Sequence, residues 1–216
     1  MLLIFLIVGI HLIQVNFIDS IITDWIGHDY ANEIFSLEGN FVFSFSQSWL
    51  DFLVYFFVFI YIVLYPFTLW FSPLYFILID NKKAMKTLAY GLLLIYIIAL
   101  PFYLFLPVTN VYCFFNANSA LESVIPSVDN FFYSTTTQNN CLPSLHTAMT
   151  ILIAYSVSLT KNRRYSYLSF FTMFMVIISV IYLSIHWISD VITGAALSIG
   201  VILILKRYIH GNERNE

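Results

Sequence analysis

Six stretches of this chain are apolar for close to the roughly 20 residues that a helix needs to cross a bilayer: 1–18, 50–79, 87–106, 143–160, 165–186 and 188–206. Only 10% of the residues are charged and 60% are hydrophobic, against roughly 25% charged in an ordinary soluble domain. The expected fold is therefore all-α: a polytopic membrane protein whose six transmembrane helices form one bundle. The second stretch contains Pro66 and Pro73, so it should be kinked or tilted. The fourth is short, which suits a helix whose outer end stops at a water-filled site rather than in lipid. The opening run Met1–Val8 has neither a positive n-region nor a small-residue cleavage site, and it reads as a retained span rather than a signal peptide.

Orientation follows from the nine Lys and Arg residues. Lys82, Lys83 and Lys86 fall between spans two and three; Lys161, Arg163 and Arg164 fall between spans four and five; Lys206, Arg207 and Arg214 follow span six. All lie on one side, which the positive-inside rule makes cytoplasmic, together with both termini. The outer side then holds segments 19–49 and 107–142 and the short turn near 186–189. It carries Asp19, Asp24, Asp29, Glu33, Glu38, Glu122 and Asp129 but no Lys or Arg. Three regions are expected: 1–49, a span plus an extracytoplasmic interfacial segment; 50–208, the functional transmembrane core; and 209–216, a cytoplasmic tail. Ile18, Ile21, Ile22, Trp25 and Ile26 recur at helical spacing with Asp19, Asp24 and Asp29 off the stripe, which reads as an amphipathic brace lying in the interface.

Ionisable groups at membrane depth are costly and are usually paired and functional. His146 closes the run Pro143-Ser144-Leu145-His146, and His186 precedes Asp190 by four residues, at the outer ends of spans four, five and six. A carboxylate four residues from a histidine can orient the ring and set its tautomer. A metal is weighed and not expected, because further ligands at the usual spacing are lacking. Cys113 and Cys141, both in the second outer loop, are expected to form a disulfide if that side is oxidising. His28 reads as a surface residue, and His11 and His210 carry no motif. Gly194 and Gly200, with Ala195 and Ala196, read as close helix packing on span six.

Pro-Ser-Leu-His followed by His-x-x-x-Asp, in that order and on separate helices, resembles the type 2 phosphatidic acid phosphatase superfamily. The run Cys141-Leu142-Pro143-Ser144-Leu145-His146, the pair His186-Trp187 before Asp190, and Pro107 look closest to its inositol phosphorylceramide synthase branch. The resemblance covers about spans two to six. It implies that His186 attacks phosphorus to form a phosphohistidine, that Asp190 orients it, that His146 protonates the leaving oxygen, and that Ser144 helps hold phosphate. It also implies metal-independent chemistry with no cofactor, and a membrane lipid as substrate.

The chain departs from that pattern where most members carry Lys and Arg. The third-motif Arg position holds Val180, and the outer side has no cation. Phosphate must then be held by neutral donors, for which position suggests Asn139, Asn140, Thr109, Asn110 and Tyr103 beside Ser144. A phosphodiester carries one charge and a phosphomonoester about 1.5 to 2 near neutrality. With few cations, burial disfavours the more charged headgroup. The expected activity is therefore transfer of a phosphodiester headgroup to an alcohol acceptor at the outer face of the plasma membrane. Hydrolysis of polyprenyl diphosphate or phosphatidate is the competing reading, and a non-catalytic lipid-binding or transport protein is the reading from another class. Nothing in the chain suggests a nucleic-acid partner.

Overall fold

The computed structural model describes residues 1–128 and 136–212, with side chains up to 208. Asp129 and Arg214 lie outside these residues, as does the side chain of His210. The helices are α1 (Leu2–Ile26), α2 (Ala31–Glu38), α3 (Phe41–Ser46), α4 (Asp51–Leu78), α5 (Lys82–Phe105), α6 (Val111–Phe114), α7 (Ala120–Val124), α8 (Leu145–Ser158), α9 (Arg163–Tyr182) and α10 (Ile188–Asn212). No strand forms among the described residues; one isolated bridge joins Val108 and Asn140.

Five helices, α1, α4, α5, α9 and α10, are long and apolar enough to cross a membrane, and the chain is a multi-pass membrane protein. The fourth expected span is α8, apolar but only 14 residues long. At 1.5 Å per residue it reaches about 21 Å, short of a hydrocarbon layer of about 30 Å. It is also the centre of the bundle, packed against α5, α9 and α10, with Ala148, Leu152, Ile153, Ala154 and Val157 buried. A helix wrapped by other helices does not itself have to span the lipid, because its ends can stop at protein or at a polar cavity.

Two helices contain a π-helical turn, Gln14–Ile18 in α1 and Ile60–Leu64 in α4. The second lies just before Pro66, whose missing N–H would otherwise have bonded the carbonyl of Ile62, so the wider turn takes up the disruption that the proline imposes.

The first span runs eight residues further than expected, 19–26, before Gly27 ends it at φ 62°. Its amphipathic tip continues the span instead of lying apart in the interface as a brace. Ile21 and Trp25 are exposed, whereas Asp19 is only 3% exposed. In lipid the apolar stripe loses nothing by facing outward, while a carboxylate must find partners inside the bundle. The outer segment proper begins after Gly27 and folds over the bundle end. The Tyr30 N–H donates to the Pro107 carbonyl (2.9 Å), and Asp29 accepts from the Thr109 N–H (3.1 Å). Glu38 accepts from the N–H groups of Ile188 (2.9 Å) and Ser189 (2.6 Å) and so caps α10. Beneath this cover Ala31, Ile34, Val42, Val108, Val111, Cys141 and Trp187 form a small core. Trp187 is fully buried, its indole N–H donating to the Thr109 carbonyl (2.9 Å).

Of the small residues on α10, Gly194 is the one in close contact. A Cβ there would strike the Ser144 carbonyl oxygen, whereas one at Gly200 would meet nothing within 4 Å. Gly200 is therefore not a packing glycine. Gly194→Ala should destabilise the protein by about 1–3 kcal/mol through overpacking against backbone, and Gly200→Ala should be neutral or mildly stabilising. Thermal unfolding of both variants in detergent checks this; equal melting temperatures would count against the Ser144–Gly194 contact.

Candidate active site

The three motif residues meet at the end of the bundle opposite the described Lys and Arg residues. Lys82, Lys83 and Lys86 begin α5, Lys161, Arg163 and Arg164 join α8 to α9, and Lys206 and Arg207 lie near the end of α10. The site gathers the C-terminal end of α5 and the N-terminal ends of α8 and α10. The approach of α8 to α10 comes from backbone. The Ser144 N–H donates to the Asp190 carbonyl (2.9 Å), and Gly194 leaves room for the Ser144 carbonyl. Ser144 is also the N-cap of α8, its hydroxyl accepting from the Thr147 N–H (3.3 Å).

His186 lies in the turn before α10 rather than on the helix, and Asp190 in the first turn reaches back to it. His186 is 3% exposed and Asp190 is fully buried. A carboxylate only accepts, so His186 Nδ1 donates to Asp190 Oδ2 (3.2 Å), which also accepts from the Trp187 N–H (2.9 Å). That leaves His186 Nε2 with its lone pair. His146 Nδ1, 3.2 Å away, donates to it, and His146 Nε2 then accepts from the Tyr61 hydroxyl at 2.9 Å. The result is one continuous chain from Tyr61 through His146 and His186 to Asp190. It fixes the direction of the His186 Nε2 lone pair, which the N–H of a second imidazole able to give and take a proton holds until a substrate displaces it.

These groups open onto a cavity of about 270 Å³. Of the six residues expected to hold phosphate, Tyr103, Asn110 and Asn140 line it, and Ser144, Thr109 and Asn139 do not. The Ser144 hydroxyl is occupied as a cap. Thr109 is held through its backbone by Asp29 and Trp187, and Asn139 donates its amide to Thr23 Oγ1 (3.0 Å). Tyr103 donates to the Pro143 carbonyl (2.6 Å) and Asn140 to Asp19 Oδ2 (2.6 Å), so both spend donors on the protein. No Lys or Arg lines the cavity among the described residues. Val180, the position of the missing arginine, packs in an apolar cluster with Leu183 and Ile185.

Several wall residues were not singled out from the sequence: His11, Tyr61, Tyr65, Tyr112, Thr136 and Thr137. A histidine within an apolar span was a signal in its own right; the tyrosines carried none, being 15 in a chain rich in aromatics. Through Leu69 and Met149 the cavity adjoins a small apolar pocket between α1, α4 and α5, lined also by Ile4, Ile7, Val8, Trp70 and Leu92. His28 is exposed and pairs with Glu33 (2.9 Å), as suits a surface residue.

The cysteines do not form the expected disulfide. Cys141 is buried, and its Sγ faces the carbonyls of Gln138 (3.7 Å) and Ile185 (3.8 Å) rather than Cys113. A ligand atom each from Cys141, His186 and Asp190 lie within 4.8 Å of one another. A cation there would have to ionise a thiol that burial, with Asp190 nearby, holds well above its ordinary range. The donor set reads better as a hydrogen-bonded array than as a metal site. Without reductant, maleimide should modify Cys141 at least about tenfold more slowly in the folded protein than after unfolding, because the thiolate is the reactive form. Mass spectrometry after SDS treatment should find both cysteines labelled; labelling that needs prior reduction would restore the disulfide.

The model of one protein family, described as the PAP2 superfamily, matches residues 32–204 of the chain. No curated protein and no solved structure matches it significantly. The matched residues begin after α1 and contain the whole array from Tyr61 to Asp190. With the family model covering most of the chain, the protein belongs to the PAP2 superfamily.

Proposed function

We propose that the protein is an integral-membrane enzyme acting on a lipid phosphate ester through a phosphohistidine on His186. Membership of the PAP2 superfamily points to phosphatase-type activity on a lipid phosphate. The observation that carries the reading is the array His146–His186–Asp190, bonded at 3.2 Å at each step and open to a cavity.

In the first step the His146 N–H leaves His186 Nε2 for the leaving oxygen, and the freed Nε2 lone pair attacks phosphorus. The P–N bond forms as the P–O bond to the leaving group breaks, and the departing oxygen takes a proton from His146. Asp190 stabilises the positive ring that results. In the second step a water or alcohol oxygen attacks phosphorus, gives its proton to His146, and the P–N bond breaks to regenerate His186. His146 must carry a second proton at the start. Tyr61 serves both states, since its hydroxyl donates to a bare Nε2 and accepts from a protonated one.

The phosphoryl oxygens need donors. The N–H groups of α10 at Ile188 and Ser189 are taken by Glu38. Those of Leu145 and His146 open α8 and have no partner within the helix, so the N-terminus of α8 is the natural phosphate cradle. Neutral donors suit a singly charged phosphodiester better than a phosphomonoester or diphosphate. The reading therefore leans to transfer of a phosphodiester headgroup to an alcohol, as in inositol phosphorylceramide synthases. The apolar pocket beside Met149 offers a path for a hydrocarbon chain, and the positive-inside rule puts the site on the extracytoplasmic face of the plasma membrane.

Purified protein with EDTA present, given phosphatidate, polyprenyl diphosphate or a phosphoinositol lipid with and without an acceptor alcohol, tests this. A new lipid formed only with acceptor, and lost by at least about a thousandfold in His186→Ala, is the expected result. Free phosphate from the monoester or diphosphate would make it a phosphatase and overturn the charge argument. No His186-dependent product from any lipid would remove the enzyme reading. Tyr61→Phe should lower kcat about 10- to 100-fold, the worth of one hydrogen bond to a charged group, with KM within about twofold, because Tyr61 acts on His146 rather than on the lipid.

A further inference from the structure

The helix outside the family match, α1, reaches the cavity with its own polar network. Both oxygens of buried Asp19 accept from Gln14 Nε2 (2.8 and 3.1 Å), and the Gln14 carbonyl accepts from the Tyr96 hydroxyl (2.7 Å). Asp19 Oδ2 also accepts from Asn140 Nδ2 at 2.6 Å. This last bond sets the polarity of the cavity wall. A carboxylate has no proton to give, so the Asn140 amide must turn its NH2 towards α1. Asn140 lines the cavity, and its carbonyl oxygen is left buried and without a hydrogen-bond partner among the described residues. The hydroxyl of Thr137, on the same wall, is buried and unpartnered in the same sense.

A buried acceptor with no partner is a demand for a donor. It repels phosphate oxygens, and Asp19 behind it adds to that repulsion. It accepts from an O–H. We infer that Asn140 Oδ1 and the Thr137 hydroxyl form a subsite for a hydroxylated group next to the phosphoryl position, and that Asp19 is the positioning residue that holds Asn140 in its accepting orientation. The subsite rests on the phosphohistidine reading above and narrows its substrate to lipids or acceptors bearing alcohol groups. The hydroxyls come either from the headgroup of the donor lipid or from a free acceptor alcohol, and the chemistry of recognition is the same for both. The subsite groups and the array that breaks the P–O bond both lie within the family match, while Asp19, which orients Asn140, lies on the helix that the match leaves out.

Asp19→Asn tests the inference at constant shape. An amide at position 19 can donate to Asn140, so the Asn140 amide can turn over and present NH2 to the cavity in place of its carbonyl. Thr137→Val removes the second group with little change of volume. The intact protein in detergent would be given phosphatidylglycerol or phosphatidylethanol, which differ in headgroup hydroxyls, and separately phosphatidylethanol with and without free glycerol. The readout is a ratio: kcat/KM for the hydroxylated over the plain lipid, and glycerol product over hydrolysis product.

The wild type should favour the hydroxylated partner at least about tenfold in one of the two arms, since a site built to bond a hydroxyl rejects the analogue without it. The arm that shows the preference names the source. Both variants should bring that ratio towards one. A variant that merely loosened the fold would slow every substrate together and leave the ratio in place, which would overturn the positioning role. A wild type with no preference in either arm would overturn the subsite. If no lipid is turned over at all, the catalytic reading fails but the subsite is still tested. Native mass spectrometry should then find phosphatidylglycerol bound in preference to phosphatidylethanol and the preference lost in Asp19→Asn; equal binding in the wild type would overturn it.

Discussion

The site depends on one backbone hydrogen bond, from the Ser144 N–H to the Asp190 carbonyl at 2.9 Å. It joins the first residues of α8 to the first turn of α10 and so fixes His146 against His186. Side chains could not hold these helix ends together as firmly, because lipid offers little hydrophobic drive for helix association and close backbone approach has to supply it. Gly194 makes that approach possible by removing the one Cβ that would meet the Ser144 carbonyl. The Asp190 carboxylate, turned away from this junction, is then free to bond His186 and the Trp187 N–H. One residue thus locks the two helices through its backbone and orients the His186 ring through its side chain.

The short central helix follows from the same junction. α8 begins where its N-terminus must face a cavity and ends after 14 residues inside a wall of α5, α9 and α10. A full-length span would carry its first turn through the headgroup region and away from the ends of α5 and α10. Shortness places unpaired N–H groups at a depth where water is scarce and an anion is the best partner they can find. The cover of α2 and α3 completes the arrangement, since Glu38 takes the competing donors of α10 and leaves those of α8 for a ligand.

Much of this was legible in the residues. Long apolar runs and the sidedness of Lys and Arg gave the helices and the end of the bundle at which the site lies. Three intramembrane ionisable groups in two short motifs gave the array itself, because His146, His186 and Asp190 have no reason to be there unless paired. What could not be read has a common cause. In a soluble protein an apolar stripe marks the buried face, but in lipid both faces are apolar and the polar residue marks the inside. Reading the stripe of Ile21 and Trp25 as a helix lying in the interface ended the first span too early, and the inward placement of Asp19 and His11 was missed. Tyr61 was hidden among many tyrosines; it lies in the π-helical turn before Pro66, and the proline announces a kink there without saying which side chain meets His146. The cysteines share a loop, but sharing a loop does not fix direction: the Cys141 thiol faces the Gln138 and Ile185 carbonyls instead of Cys113.

On the proposed reading the cavity takes a phosphate without a cation, and the parts of the wall divide the work. On one side lie the imidazoles and the N-terminus of α8, which offer protons and N–H groups. On the other lies Asn140, whose donor is consumed by Asp19 and whose carbonyl oxygen is a buried acceptor without a partner among the described residues. A wall of uniform donors would take any phosphate and favour the most charged. A wall that is donating at one end and accepting at the other favours a ligand with an anionic end and a hydroxylic end, held in one direction. Lys or Arg would erase that distinction, since a mobile cation reaches every oxygen in a space of about 270 Å³. On this view the missing cations are part of how the site chooses its ligand, and Asp19, the acid closest to being out of place in the chain, is what keeps the accepting end from becoming another donor.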